Sequence, residues 1–146
     1  MATFRFTLQA ALDDRARAEE DRARAFAQAQ AAARESEQRL RVIEARLNEI
    51  TRVLAGGAAP NLQAAALRGA RHEVEALVQT ARTERKRALS FIAAQKAAQR
   101  ALDEARLEHG QLAALRDREL AAFQAAAEQR EEREIEESNR RSTRRS

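Results

Sequence analysis

Apolar and small residues recur along this chain in alternating steps of four and three. The first series runs Leu8, Leu12, Arg15, Glu19, Arg22, Phe26, Ala29, Ala33, Ser36, Leu40, Ile43, Leu47, Ile50 and Leu54. A second runs Leu67, Ala70, Val74, Leu77, Ala81, Glu84, Ala88, Phe91, Gln95, Ala98, Leu102, Ala105, His109 and Leu112. Such a 3.5-residue repeat is that of a left-handed coiled coil. The pattern predicts a helix over 7–54, a turn over 55–61, a helix over 62–138 and a frayed basic tail over 139–146. The fold class is therefore all-α: two long helices forming an antiparallel coiled-coil hairpin, the second helix longer, in a single domain spanning 1–146.

The turn rests on one stretch, LAGGAAPNL at 54–62. It holds two of the four glycines and the only proline. Gly56 and Gly57 can end a helix in a left-handed conformation, Pro60 cannot continue one, and Asn61 can cap the next. A connection this short makes neighbouring helices antiparallel. Folding about residues 58 and 59 places Ile50 opposite Leu67, Leu47 opposite Ala70, Ile43 opposite Val74 and Phe26 opposite Phe91. Further along, it places Ala33 opposite Glu84, Arg15 opposite Leu102 and Leu8 opposite His109. The middle of the seam is polar there, with Arg15, Glu19 and Arg22 laying their stems over it and sending their heads to water. The other reading of that stretch is a segment kept loose so that it can twist or splay.

Partners for the second helix run out near Leu112 in this register. Residues 113–138 then project about 39 Å further at 1.5 Å per residue. The overhang carries Leu115, Leu120 and Phe123, an apolar stripe that calls for a partner. Alternatively, Phe4 and Phe6 fold back over it.

Composition narrows the class. The chain is 44% hydrophobic, much of it alanine, with 3% aromatic and 34% charged residues. Those are helix formers with little core volume, which argues against a layered globular domain. The absence of cysteine excludes a disulfide framework and a thiolate metal site. The amino terminus lacks a basic segment followed by an apolar run, so no secretory signal is expected, and no apolar stretch is long enough for membrane insertion. The 27 basic and 23 acidic residues are interspersed, the pattern of a solvated helix surface rather than of a nucleic-acid interface. No catalytic constellation, metal set or cofactor motif is present. The GG at 56–57 lacks the lysine of a phosphate loop, and His72 and His109 are far apart on one helix. A two-helix hairpin also has no concave pocket that excludes water. The expectation is a chain that is not an enzyme and is monomeric.

The opening Phe4-Arg5-Phe6-Thr7-Leu8, followed by Leu12 and Arg15, resembles the F-x-F-x-L start of the FliJ family of the bacterial flagellar type III export apparatus. Length, the lone bend, the longer second helix and the charged carboxyl end resemble that family too. The resemblance implies a stalk in protein export for motility, similar to the central stalk of rotary ATPases. Its implied partners are the flagellar export ATPase ring, the membrane export gate and export chaperones. Its implied place is the cytoplasm, peripherally associated with the inner membrane at the flagellar base. Carried onto this chain, Phe4, Phe6, Leu115, Leu120 and Phe123 become the ATPase-contact candidates. Leu47, Ile50, Leu67 and Val74, near the bend, become the export-gate candidates. A stalk of a virulence-type secretion system has the same architecture, and a plain coiled-coil scaffold is the alternative from a different class. A basic helical nucleic-acid binder is a third, distinguished by steeply salt-dependent binding.

Overall fold

The computed structural model describes residues 2–56 and 64–146. Two helices account for nearly all of them: α1 over Gln9–Ala55 and α2 over Ala64–Arg145. They pack against each other antiparallel, and α2 is the longer. Chain contacts divide the molecule into two compact units, Met1–Asp21 with Asp103–Ser146, and Arg22–Leu102.

Local chemistry accounts for most of the helix boundaries. Phe6 leads into α1, because the Gln9 amide donates to its carbonyl at 3.1 Å and the Phe6 side chain is itself buried. The Gln9 side chain then bonds Asp13 one turn on, at 3.0 Å. At the other end the Gly56 amide donates to the Arg52 carbonyl at 2.9 Å, closing the last turn of α1. Gly57, Pro60 and Asn61, on which the expected turn and cap rest, lie outside the described residues.

Helix α2 continues to Arg145, where fraying was expected from 139. The hydroxyls of that stretch bond back to carbonyls of the helix, so they leave it continuous. Thr143 Oγ donates to the Asn139 carbonyl at 2.7 Å and Ser146 Oγ to the Thr143 carbonyl at 3.2 Å. Two arginines in the last turn, Arg144 and Arg145, also complement the negative end of the helix dipole.

Burial follows the two seams. The buried residues are Phe6, Leu12, Ala33, Ser36, Ile50, Ala81, Glu84, Ala88, Leu102 and Ala105, and all but Phe6 are seam positions. Three positions of the first expected seam are exposed instead: Leu8, which precedes α1, and Arg15 and Arg22 within it.

The pairing differs from the expected one. In the unit that holds both termini, Arg15 meets Glu108 rather than Leu102, and Gln9 meets Arg116. His109 meets Glu19 rather than Leu8. In the unit Arg22–Leu102, Arg46 meets Glu73 and Glu44 meets Arg85, both beyond the residues at which the expected register aims them. The links are displaced along α2 by about a heptad in the unit of the termini; in the other unit the Arg46–Glu73 link is displaced slightly and the Glu44–Arg85 link by more than three turns, and Ile50 and Leu67 line one recess. A shift of one heptad leaves the same faces in contact, so the seams survive it while the links at Arg15 and His109 move.

Candidate functional site

Two surfaces carry the residues that the sequence singles out, one in each unit. The first lies in the unit of the termini. Residues 2–8 are non-helical, and the alternating Phe4 and Phe6 are covered to different depths. Phe6 is buried. The ring of Phe4 meets that of Phe123 with centroids 5.6 Å apart and planes inclined by 55°, the tilted geometry that ring quadrupoles favour. The Arg116 guanidinium lies 5.8 Å from the centre of the Phe4 ring, within cation–π range. Its Nε donates to Gln9 Oε1 at 3.2 Å, so one arginine ties the amino-terminal segment and the start of α1 to α2.

This arrangement corrects the expected overhang. Phe123 is not beyond the reach of the amino-terminal part of the chain; Phe4 covers it. Leu115 and Leu120 are half-buried, not free. The folding-back of Phe4 and Phe6 is the arrangement found. What remains uncovered on α2 begins at Glu128, from which every residue to Ser146 is exposed.

Behind the aromatic contact lies a polar layer. Arg15 Nη1 donates to Glu108 Oε2 at 2.6 Å, both side chains half-exposed. Glu19 Oε2 lies 2.5 Å from His109 Nδ1, and Glu19 Oε1 lies 3.9 Å from Arg106. The sequence assigned Arg15 and Glu19 to the seam as residues reaching out to water. In the structure they are cross-helix links, which periodicity alone does not reveal because it takes no account of the charges on the facing helix.

The second surface lies near the carboxyl end of α1, in the other unit. Ile50 is buried, Leu47 and Val74 are half-buried, and Leu67 is 38% exposed. Ile50 and Leu67 line an open recess with Val53, Leu54 and Ala70, together with the charged Arg46, Glu49 and Glu73. Arg46 Nε donates to Glu73 Oε1 at 3.0 Å and its Nη1 to Glu49 Oε2 at 3.2 Å. The bond to Glu73 first, and that to Glu49 second, hold the Arg46 guanidinium above its ordinary pKa. Arginine is fully charged at neutral pH in any case, so this network orients the side chain rather than switching it.

Further along the same unit the seam is built from small and polar side chains. Ala33, Ala81 and Ala88 are buried, as are Ser36 and Glu84. Arg87 Nη1 donates to Glu84 Oε1 at 3.3 Å, while Glu84 Oε2 and Ser36 Oγ have no hydrogen-bond partner. Both residues are on the predicted seam, and burying a hydroxyl or a carboxylate oxygen without a partner costs free energy.

Among the described residues no group of three His, Cys, Asp or Glu is placed to hold a metal ion, and His72, 91% exposed, has only Glu75 at 3.9 Å. No helix of the described residues is long and apolar enough to cross a membrane. The geometry offers two helices linked by side chains, with partly exposed apolar groups at two separate places, which suits contact with other macromolecules. Comparison with family models, curated proteins and solved structures finds no match to this chain.

Proposed function

We propose that this chain is a non-enzymatic central-stalk component of a flagellar type III protein export apparatus. In this reading its terminal unit enters the ring of the export ATPase. The near-bend surface, with Leu47, Ile50, Leu67 and Val74, faces the membrane export gate. Export chaperones are further partners. The chain works in the cytoplasm, peripherally associated with the inner membrane at the flagellar base, and contacts no nucleic acid.

The observation that carries the reading is the antiparallel pairing of two long helices in which the Phe4-Arg5-Phe6 opening is docked on α2. That opening is also what favours the flagellar apparatus over a virulence-type one, whose stalk shares the architecture. With Phe6 buried, the ring contact falls to the half-exposed Phe4, Leu115, Leu120 and Phe123. Phe6 then supports the contact from beneath. Completing the burial of one such side chain in a ring supplies at most ~1.5–3 kcal/mol before ordering costs. A stalk that binds the assembled ring better than the free subunit shifts assembly by that difference.

The test is an ATPase assay with the cognate export ATPase. The intact chain should raise the hydrolysis rate. Leu115→Gln combined with Leu120→Gln should remove most of the stimulation, with circular dichroism confirming unchanged helicity. Undiminished stimulation by the double variant would move the contact off this stripe. No stimulation by the intact chain would leave the plain coiled-coil scaffold as the better account.

A further inference from the structure

The end of α2 is a charged helix that is exposed on every side. Residues 128–146 are exposed throughout, yet helical to Arg145. Glu128, Glu131, Glu132, Glu134, Glu136 and Glu137 come first, with Arg130 and Arg133 among them; Arg140, Arg141, Arg144 and Arg145 follow. Among the described residues, none of these side chains forms an ion pair. Several like charges lie one turn apart, as in Glu128–Glu132 and Arg141–Arg145, and such pairs destabilise an isolated helix.

Along this segment acids precede Ser138 and bases follow it, and one face shows the change of sign on residues that share a groove. Glu131, Glu134, Ser138, Arg141 and Arg145 follow one another in steps of three and four and so share a face. Glu134, Ser138, Arg141 and Arg145 line one open groove together with Glu137 and Ser142, and Glu131, Glu134 and Ser138 line an adjoining one beside Ile135 and Asn139. Reading outward from Ser138 there are two carboxylates in one direction and two guanidinium groups in the other. Rotation by half a turn about Ser138 exchanges acid for base.

We propose that this face binds a second copy of the chain, antiparallel, about a two-fold axis at Ser138. Glu131 and Glu134 of one copy then lie opposite the partner's Arg145 and the partner's Arg141, and the same contacts repeat across the axis. A two-fold contact must use one patch that complements itself, and this face does. Parallel pairing in register would set carboxylate against carboxylate and guanidinium against guanidinium, which excludes it. A uniformly acidic or basic partner would satisfy only half of the face; a second copy satisfies all of it in one geometry. The small side chain of Ser138 leaves room for the helices to approach at the axis. Ile135, 61% exposed and beside it, supplies apolar area. Because the attraction is between exposed charges, the association is weak and strongly screened by salt. The inference does not depend on the export reading.

Sedimentation equilibrium on the intact chain tests it. A monomer–dimer equilibrium should appear at low ionic strength, with dissociation rising at least about tenfold between 0.05 and 0.5 M salt. Glu131→Arg with Glu134→Arg makes the face uniformly basic, and Arg141→Glu with Arg145→Glu makes it uniformly acidic. Each variant alone should be monomeric where the parent dimerises, and an equimolar mixture should form a heterodimer. Among the described residues the segment is exposed throughout, so circular dichroism of both variants should match the parent. A parent that stays monomeric at low salt overturns the proposal. So do reversed variants that self-associate like the parent, or a mixture that fails to pair.

Discussion

In the unit formed by Met1–Asp21 and Asp103–Ser146, the buried side chains are Phe6, Leu12 and Ala105, and ring contacts and ion pairs link the two sides. In the unit Arg22–Leu102, Ile50 and Leu102 are the large buried side chains, and the buried positions between them are Ala33, Ser36, Ala81, Glu84 and Ala88. Apolar burial contributes in proportion to area. Alanine contributes little of it, and a buried hydroxyl or carboxylate without partners subtracts from it. The first unit thus rests on a few large contacts, and the second on many small ones carrying a polar defect. Substitutions should therefore act in opposite directions: truncation should harm the first, and apolar replacement should help the second.

The largest expected effect is at Phe6. Phe6→Ala removes the one buried aromatic side chain among the described residues, and it should destabilise the chain by about 3 kcal/mol, the lower end for buried aromatic truncations. Urea denaturation followed by circular dichroism measures it. A loss under 1 kcal/mol would mean that the amino-terminal segment is not an anchor, and the contrast between the units would fail.

Next is Glu84. Its Oε2 is buried without a hydrogen-bond partner, and only Arg87, on the same helix, reaches Oε1. Replacing a buried, poorly satisfied charge with an apolar group of similar size is often stabilising. Glu84→Leu should therefore raise stability by about 1–2 kcal/mol, seen as a higher denaturation midpoint at unchanged slope. Destabilisation would mean that the carboxylate is satisfied after all. Ser36→Ala sharpens the same point at smaller scale. It removes an unsatisfied hydroxyl and improves helix propensity, for a gain of about 0.5 kcal/mol.

These seam residues show what was legible in the sequence. The faces were: Leu12, Ala33, Ile50, Ala81, Leu102 and Ala105 were all on the predicted seams, and all are buried. Periodicity encodes the face because a residue on the wrong side exposes its whole apolar surface. It does not encode which heptad faces which, because sliding α2 by seven residues returns the same positions to the same seam. The choice is made by contacts without a period: Phe4 on Phe123, Arg116 on Gln9, Glu19 beside His109. The same slide explains the misjudged overhang. Moving the pairing about one heptad along α2 brings Phe123 under Phe4 and confines the uncovered helix to the charged stretch from Glu128. For the candidate site, the sequence named the aromatic residues correctly as a group but could not tell a supporting residue from a contacting one. Phe4 and Phe6 differ only in depth, and depth is a property of the packed pair.

The smallest expected effect bears on how the register is held. Arg15 and Glu108 form a short arginine–carboxylate bond, at 2.6 Å, but their side chains are 50% and 49% exposed. A short bond suggests a strong contribution; half-exposure argues for a weak one, because water and salt screen the charges and ordering two long side chains opposes the gain. Exposure should win. A double-mutant cycle with Arg15→Ala and Glu108→Ala should give a coupling of about 0.5 kcal/mol, falling toward zero in 1 M salt as the screening length shrinks to ~3 Å. A coupling this small still disfavours the alternative register when added to those of Glu19 with His109 and Arg116 with Gln9, because a slide of one heptad breaks all of them together. Restoring the expected pairing should therefore require losing several links at once. Spin labels placed at Ala16 and Glu104 should report the same separation in the Arg15→Ala variant as in the parent. A changed separation would show that this single bond sets the register. An unchanged one, with weak coupling, places that role on the collection of links and on the ring contact at Phe4.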